Sequence, residues 1–374
     1  MGSRLRADSR PPLEGRSRNR RHHWRPRRCH SFGPAHRPRS LDGKRPTTEY
    51  GLASQGVPCR LGAALRGHRI CFSHKEGAVT SITLPTGIGI GFRFDHLTVK
   101  ETQEIARHSE ELGYRAIWLT DSFGRDPLIH AGQLLSATNT LTVGTAVLNI
   151  HLRTPESVGG AANTLADQSD GRFLLGIGMS HPELIEDALK RTYASPVETV
   201  TQYLEAIRAT LWLGPEISEA PPVVLGALGP KMLAAAGAHF AGAIPVQIPP
   251  KLVSRARDII GPQAWLGVKQ YACLTKDHAA GLQAARARLA GSLGMRNYRR
   301  LFRSAGFTDD DLEDGGSDEL CEAIVSIGTP DTVAERISEH LEAGADHVVI
   351  EPIRVENPHL IDEEAFAPIA AATR

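Results

Sequence analysis

Between Leu141 and Pro155 the chain reads LTVGTAVLNIHLRTP, a β-branched apolar run that ends abruptly in Asn149, His151 and Arg153. Two more runs end in the same way, AIWLTDS in Asp121 and Ser122, and GRFLLGIGMSH in Ser180 and His181. Two imidazoles and a guanidinium can hold an anionic ligand, and the imidazoles can also shuttle protons. Asp121 can accept a hydrogen bond from a heterocycle or simply cap the next turn, and each histidine or arginine taken singly is more often structural. What joins these residues is that each closes a run of strand character. A sheet of parallel strands delivers every such terminus to one edge, and that edge is where ligands bind.

Gly229-Pro230-Lys231 adds a candidate anion cradle, because a helix start offers unpaired amides, a positive dipole end and here a lysine. A plain helix start fits the same three residues. The run Gly176-Ile177-Gly178-Met179-Ser180-His181-Pro182 has the outline of a serine nucleophile elbow, but Pro182 replaces the final glycine and no ordered acid and base follow. A serine hydrolase is therefore disfavoured, and the glycines serve either close backbone approach to a ligand or a tight turn. Cys29, Cys59, Cys71, Cys273 and Cys321 show neither paired nor metal-ligand spacing, so no metal site is expected and the thiols suit a reducing cytoplasm.

The elements that must position these groups alternate between strand and helix from Gly87 onward. The strands are read at Ile88–Phe92, Ala116–Thr120, the run after Leu141, Phe173–Gly178, Val223–Leu225, Gly242–Ile248, Leu266–Leu274 and His347–Ile350. Helix starts carry their signals: a capping box at Thr98-Val99-Lys100-Glu101, Thr154-Pro155-Glu156, Ser195-Pro196-Val197-Glu198, and Thr329-Pro330. Eight such units predict an α/β fold, a (β/α)8 TIM barrel. About fifty residues from Lys276 to Gly328, with two helical patterns, read as an insertion between strands seven and eight beside the ligand mouth.

The formal net charge of +1 conceals a division within the 374 residues. Residues 1–80 carry 18 Lys and Arg against 5 Asp and Glu, whereas residues 81–374 carry 25 against 37. The first segment lacks hydrophobic periodicity and is expected to be disordered. Few aromatics, Trp24 and Tyr50 among them, interleave its basic residues, which disfavours a nucleic-acid arm, and no apolar stretch follows its arginine pairs as an export signal would need. The favoured reading is translation from a misplaced start, with Val79 as the native initiation site and residues 81–374 as the enzyme domain. No run approaches the roughly 18 apolar residues of a membrane span.

The quoted motifs, together with GRDP, GALGPKML and IGTPDTVAERISEHLEAGADHVVI, resemble the bacterial luciferase-like flavin and deazaflavin oxidoreductases from about Ile82 to Arg374. They look closest to the branch that uses 8-hydroxy-5-deazaflavin, coenzyme F-420. The resemblance implies hydride exchange with a small organic substrate, a non-proline cis peptide at Ala146-Val147, and Val147 behind the ring. It also implies Asp121 and Ser122 at the ring's polar edge, Asn149, Gly178 and Ser180 in the ring site, and Gly229, Pro230 and Lys231 at a phosphate. His151, His181 and Asp121 are the candidates for proton handling. An FMN-dependent monooxygenase and a non-catalytic flavin-binding barrel are the alternatives, and dimers are common in the family.

Overall fold

A computed structural model describes residues 84–121, 124–217 and 219–374; the basic segment, Val79 and Ser122 lie outside the described residues. Its strands are β1 (Gly87–Phe92), β2 (Ala116–Leu119), β3 (Thr142–Thr145), β4 (Leu148–Asn149), β5 (Phe173–Gly178), β6 (Val223–Leu225), β7 (Gly242–Ala243), β8 (Trp265–Leu274), β9 (Val325–Gly328) and β10 (His347–Pro352). Every pairing between them is parallel, and β10 joins β8 to β1, which closes the ring. Because β4 continues β3, the ring has eight staves, and the predicted (β/α)8 barrel is what the chain forms.

The outer layer holds α1 (Val99–Glu111), α2 (Pro127–Leu135), α3 (Pro155–Ser169), α4 (Pro196–Arg208), α5 (Pro230–His239), α6 (Pro250–Ile260), α7 (His278–Leu293), α8 (Arg296–Ser304), α9 (Asp318–Ile324), α10 (Pro330–Glu342) and α11 (Phe366–Ala372). The Thr98–Glu101 capping box forms as read, and the Thr154 and Thr329 hydroxyls cap α3 and α10. Ser195 begins α4 without a side-chain cap, so there Pro196 carries the start signal. The expected strand Gly242–Ile248 shrinks to two residues. Pro245 has no N–H for the ladder, and after an isolated bridge at Val246 the chain turns through Gln247 at φ 58°. The insertion also holds more than two helices: β9 adds a parallel strand to the carboxyl end of β8, pairing Val325 with Tyr271, outside the closed ring.

Period-2 alternation sorts the barrel's two faces. Ala116 and Trp118 of β2 join Leu174, Val224, Trp265 and Val349 inside, while Ile117 and Leu119 join the outer core with the helices. Trp118 and Trp265 stack at 5.7 Å, and the Trp118 indole donates to His347 Nε2 at 3.1 Å. Only glycine leaves room: a Cβ at Gly144 would lie 2.5 Å from the Trp118 ring. Burial pushes His347 down to about 3, so it is a neutral acceptor. The lower barrel is thus filled by an aromatic floor. Trp118→Ala should lower unfolding stability by about 3–5 kcal/mol in urea titrations; a loss under about 1 kcal/mol would show that the floor is not tightly packed.

Candidate active site

Strand three gains its special shape from one extra residue. Gly144 pairs with Leu174 and Leu148 with Ile177, so β3 and β4 spend four steps where β5 spends three. That count defines a β-bulge. The Thr145 hydroxyl bridges the interrupted ladder, donating to the Gly176 carbonyl at 2.7 Å and accepting from the Gly176 amide at 2.9 Å. At the bulge the Ala146–Val147 peptide is cis, as the resemblance implied. A Cβ at Gly178 would approach Val147 Cγ2 to 2.6 Å, and one at Gly226 would approach both Val147 methyls to 3.1 Å. Two glycines therefore form the wall on which Val147 rests.

A buried ion pair braces the bulge from behind. The Asp121 carboxylate, only 1% exposed, accepts from the Asn149 amide at 3.0 Å and from Arg153 Nη1 at 2.6 Å. Arg153 also donates to Asp126 Oδ2 through Nη2 at 2.8 Å and Nε at 3.2 Å. Asp126 in turn caps α2. Burial pushes the Asp126 carboxyl up, but Arg153 and the Ile129 and Leu128 amides outweigh it and hold the group below its ordinary value. Both cationic arms of Arg153 are thus committed to carboxylates, which favours the structural of its two readings. The same bonds give Asp121 a bracing role.

The two histidines come from neighbouring strand ends. Asn149 Oδ1 accepts the His151 amide at 3.0 Å and so starts a short 3-10 turn, Ile150–Leu152. The His151 ring stacks on Tyr193 with centroids 6.0 Å apart, and the Tyr193 hydroxyl donates to the Ser180 carbonyl at 3.4 Å. Ser180 sits at φ 59°, which turns the chain toward His181. The His181 ring meets Tyr298 of α8 at 5.0 Å, and an Arg296–Glu183 pair at 3.0 Å fixes α8 to this rim. His151 Nε2 and His181 Nδ1 are buried without a hydrogen-bond partner among the described residues. Burial pushes both imidazoles below the ordinary histidine value; Arg191 adds to the effect at His151, and Glu183 opposes it at His181. Each is therefore neutral at pH 7 and keeps one free ring nitrogen.

Gly229 starts α5 without a side-chain cap, and a Cβ there would meet nothing within 4 Å. Topology sets it, with Pro230 and the exposed Lys231, on the same rim after β6. No cluster of His, Cys, Asp or Glu able to hold a metal occurs among the described residues.

Sequence reasoning missed the residues beneath this rim. Lys269 of β8 pairs with Glu351 of β10, and Arg288 of α7 donates to Glu351 Oε1 at 2.6 Å. The Arg288 guanidinium lies 4.3 Å over the Tyr271 ring, and Gln247 donates to the Tyr271 hydroxyl at 3.0 Å and to Ser292 at 2.9 Å. Burial pushes the Glu351 carboxyl up, but Lys269 and Arg288 outweigh it and hold it ionised. The signal was present: with Trp265 and His347 facing inward, period 2 turns Lys269 and Tyr271, and Glu351, inward too. Removing one member of the rim's ion pair strands the other. Arg153→Met should cost about 3–5 kcal/mol in chemical denaturation, and a variant as stable as the parent would remove the brace from this account.

Comparison with known proteins follows the same division of fold and chemistry. The family described as luciferase-like monooxygenase matches residues 77–347. The 5,10-methylenetetrahydromethanopterin reductase of Methanolobus tindarius is 26% identical over 291 residues, which cover 65% of this chain and 87% of the reductase. An F420-dependent secondary alcohol dehydrogenase, solved with an F420-acetone adduct, superposes with TM-score 0.58 at 14% identity, covering 78% of this chain and all of the dehydrogenase. The EDTA monooxygenase of Chelativorans sp. BNC1 superposes with TM-score 0.59 at 13% identity, over 77% of this chain and 93% of the monooxygenase. With a closed parallel barrel, a bulged third strand and a family match across most of its length, this chain belongs to the luciferase-like monooxygenase family.

Proposed function

We propose that this enzyme exchanges a hydride between coenzyme F-420 and a small organic substrate. The observation that carries the proposal is the Val147 bulge seated on Gly178 and Gly226, which presents an apolar side chain at the carboxyl mouth. The residues fit such a cofactor: the wall suits a planar ring, the unpartnered nitrogens of His151 and His181 suit its polar edge or the substrate, and the open start of α5 suits a phosphate. Ala146, Val147, Asn149, Gly178 and Ser180 would hold the ring, Asp121 would brace its platform from behind rather than meet its edge, and Gly229, Pro230 and Lys231 would hold the phosphate. Bound there, the deazaflavin supplies the carbon that gives or takes a hydride. His151 or His181, neutral at working pH, would hold or accept the proton that accompanies it.

The likeness to EDTA monooxygenase supports a second reading, an FMN-dependent monooxygenase on the same wall; the third is ring binding without turnover. No helix among the described residues is long and apolar enough to cross a membrane, and Cys273 and Cys321 are free and buried. We extend the proposal to a homodimer in a reducing cytoplasm. Titrating the purified chain with F-420 and with FMN separates the cofactors: F-420 should bind and be reduced by a substrate, whereas tight FMN binding without F-420 binding rejects the proposal. His151→Gln or His181→Gln should slow turnover about 100-fold or more with the ring still bound. Because burial lowers both imidazoles from 6.5, their neutral forms are held above the unfolded value, and the stability they contribute is lost as pH falls from 6.5 through their lowered folded values. Activity should be flat above neutrality and fall on acidification; activity rising toward pH 5 would contradict a neutral proton acceptor.

A further inference from the structure

One charged group beneath the rim is unused by this chemistry. Lys269, Glu351 and Arg288 have side chains only 6%, 1% and 18% exposed, and together they carry two positive charges and one negative. Taking three ions out of water costs several kcal/mol each, and an apolar set of the same volume would be as stable or more so. Stability therefore does not account for them. Their position does suggest a use, because the group is tied to the bulge. Lys269 Nζ donates to Thr120 Oγ1 at 3.3 Å, and that hydroxyl lies 3.4 Å from the Ala146 carbonyl oxygen, in the cis peptide itself. From the other side the group faces Tyr271 of β8, under the Arg288 guanidinium, and Tyr298 of α8, which leads to His181. Gln247 and Ser292 complete the shell as neutral groups, and the pairs of Arg153 with Asp121 and Asp126 lie toward the rim.

We propose that Lys269, Glu351 and Arg288 form a fixed net positive charge beneath the ring wall that stabilises the anionic form of the bound cofactor. The inference rests on the ring-binding role given to Val147 above. A deazaflavin with an 8-hydroxyl can lose its phenolic proton to solvent, and the resulting ring anion gains from a nearby positive charge in a low-dielectric interior. The three side chains act through the wall rather than by touching the ring.

The experiment loads the purified full chain with oxidised F-420 and follows the visible absorbance of the bound ring against pH. Lys269→Met and Arg288→Gln should each raise the ring's apparent pKa by about one unit, a tenfold change in its ionisation constant. Glu351→Gln, which adds net positive charge, should lower it, and Lys269→Arg should stay near the parent. Generic damage to packing would not move the variants in opposite directions. If Lys269→Met and Glu351→Gln fail to fold, Arg288→Gln decides alone: an upward shift supports the proposal and an unmoved titration overturns it. Shifts of one sign in all variants also overturn it. A parent chain that does not bind F-420, whether or not it binds FMN, overturns the cofactor reading together with this one, whereas normal F-420 binding with an unmoved titration overturns this one only.

Discussion

The carboxyl end of this barrel depends on a single surplus residue. Between Gly144 and Leu148 the third stave is one position longer than its neighbour, and the excess cannot be absorbed by the ladder. The chain resolves it with a threonine hydroxyl that replaces the lost backbone bonds and an Asp121–Arg153 pair that secures the far side. Both devices reach across some 30 residues of sequence, Thr145 to Gly176 and Arg153 to Asp121. Val147 is thereby pressed against glycines, and everything proposed about a ring follows from that surface.

The interior is divided by depth. Trp118, Trp265 and His347 fill the lower barrel with aromatic side chains. Immediately above, on the same staves, the inward positions change to Lys269, Tyr271 and Glu351. A tryptophan floor excludes water, and low polarisability below makes the charges above act over longer distances. The insertion then contributes α8, whose Tyr298 meets His181 and whose Arg296 holds Glu183, so the segment that distinguishes this barrel also shapes its mouth.

Much of this was legible in the chain because it rests on local rules. Thr98, Thr154 and Thr329 mark helix starts by their own hydroxyls, and the apolar runs before Asp121, Asn149 and Ser180 end where the strands deliver them. Which of its two readings Arg153 takes is not legible in spacing, because its partners are 27 and 32 positions distant. Lys269 and Glu351 lie within strands rather than at their ends, and the signal for them is a charge at an inward position of an apolar strand. The sixth barrel strand was drawn too long because the run Gly242–Ile248 is apolar enough for a strand, yet Pro245 within it cannot donate to a ladder. The cis peptide came from resemblance alone; no property of Ala146 or Val147 announces it.

The central claim is that the bulge at Ala146–Val147 is a platform for a tricyclic ring. A crystal structure of the chain soaked with F-420 tests it most directly. The account predicts the ring lying against Val147, with its phosphate at the start of α5 beside Gly229. A ring bound elsewhere, or Val147 and Gly229 bordering different cavities, would contradict it.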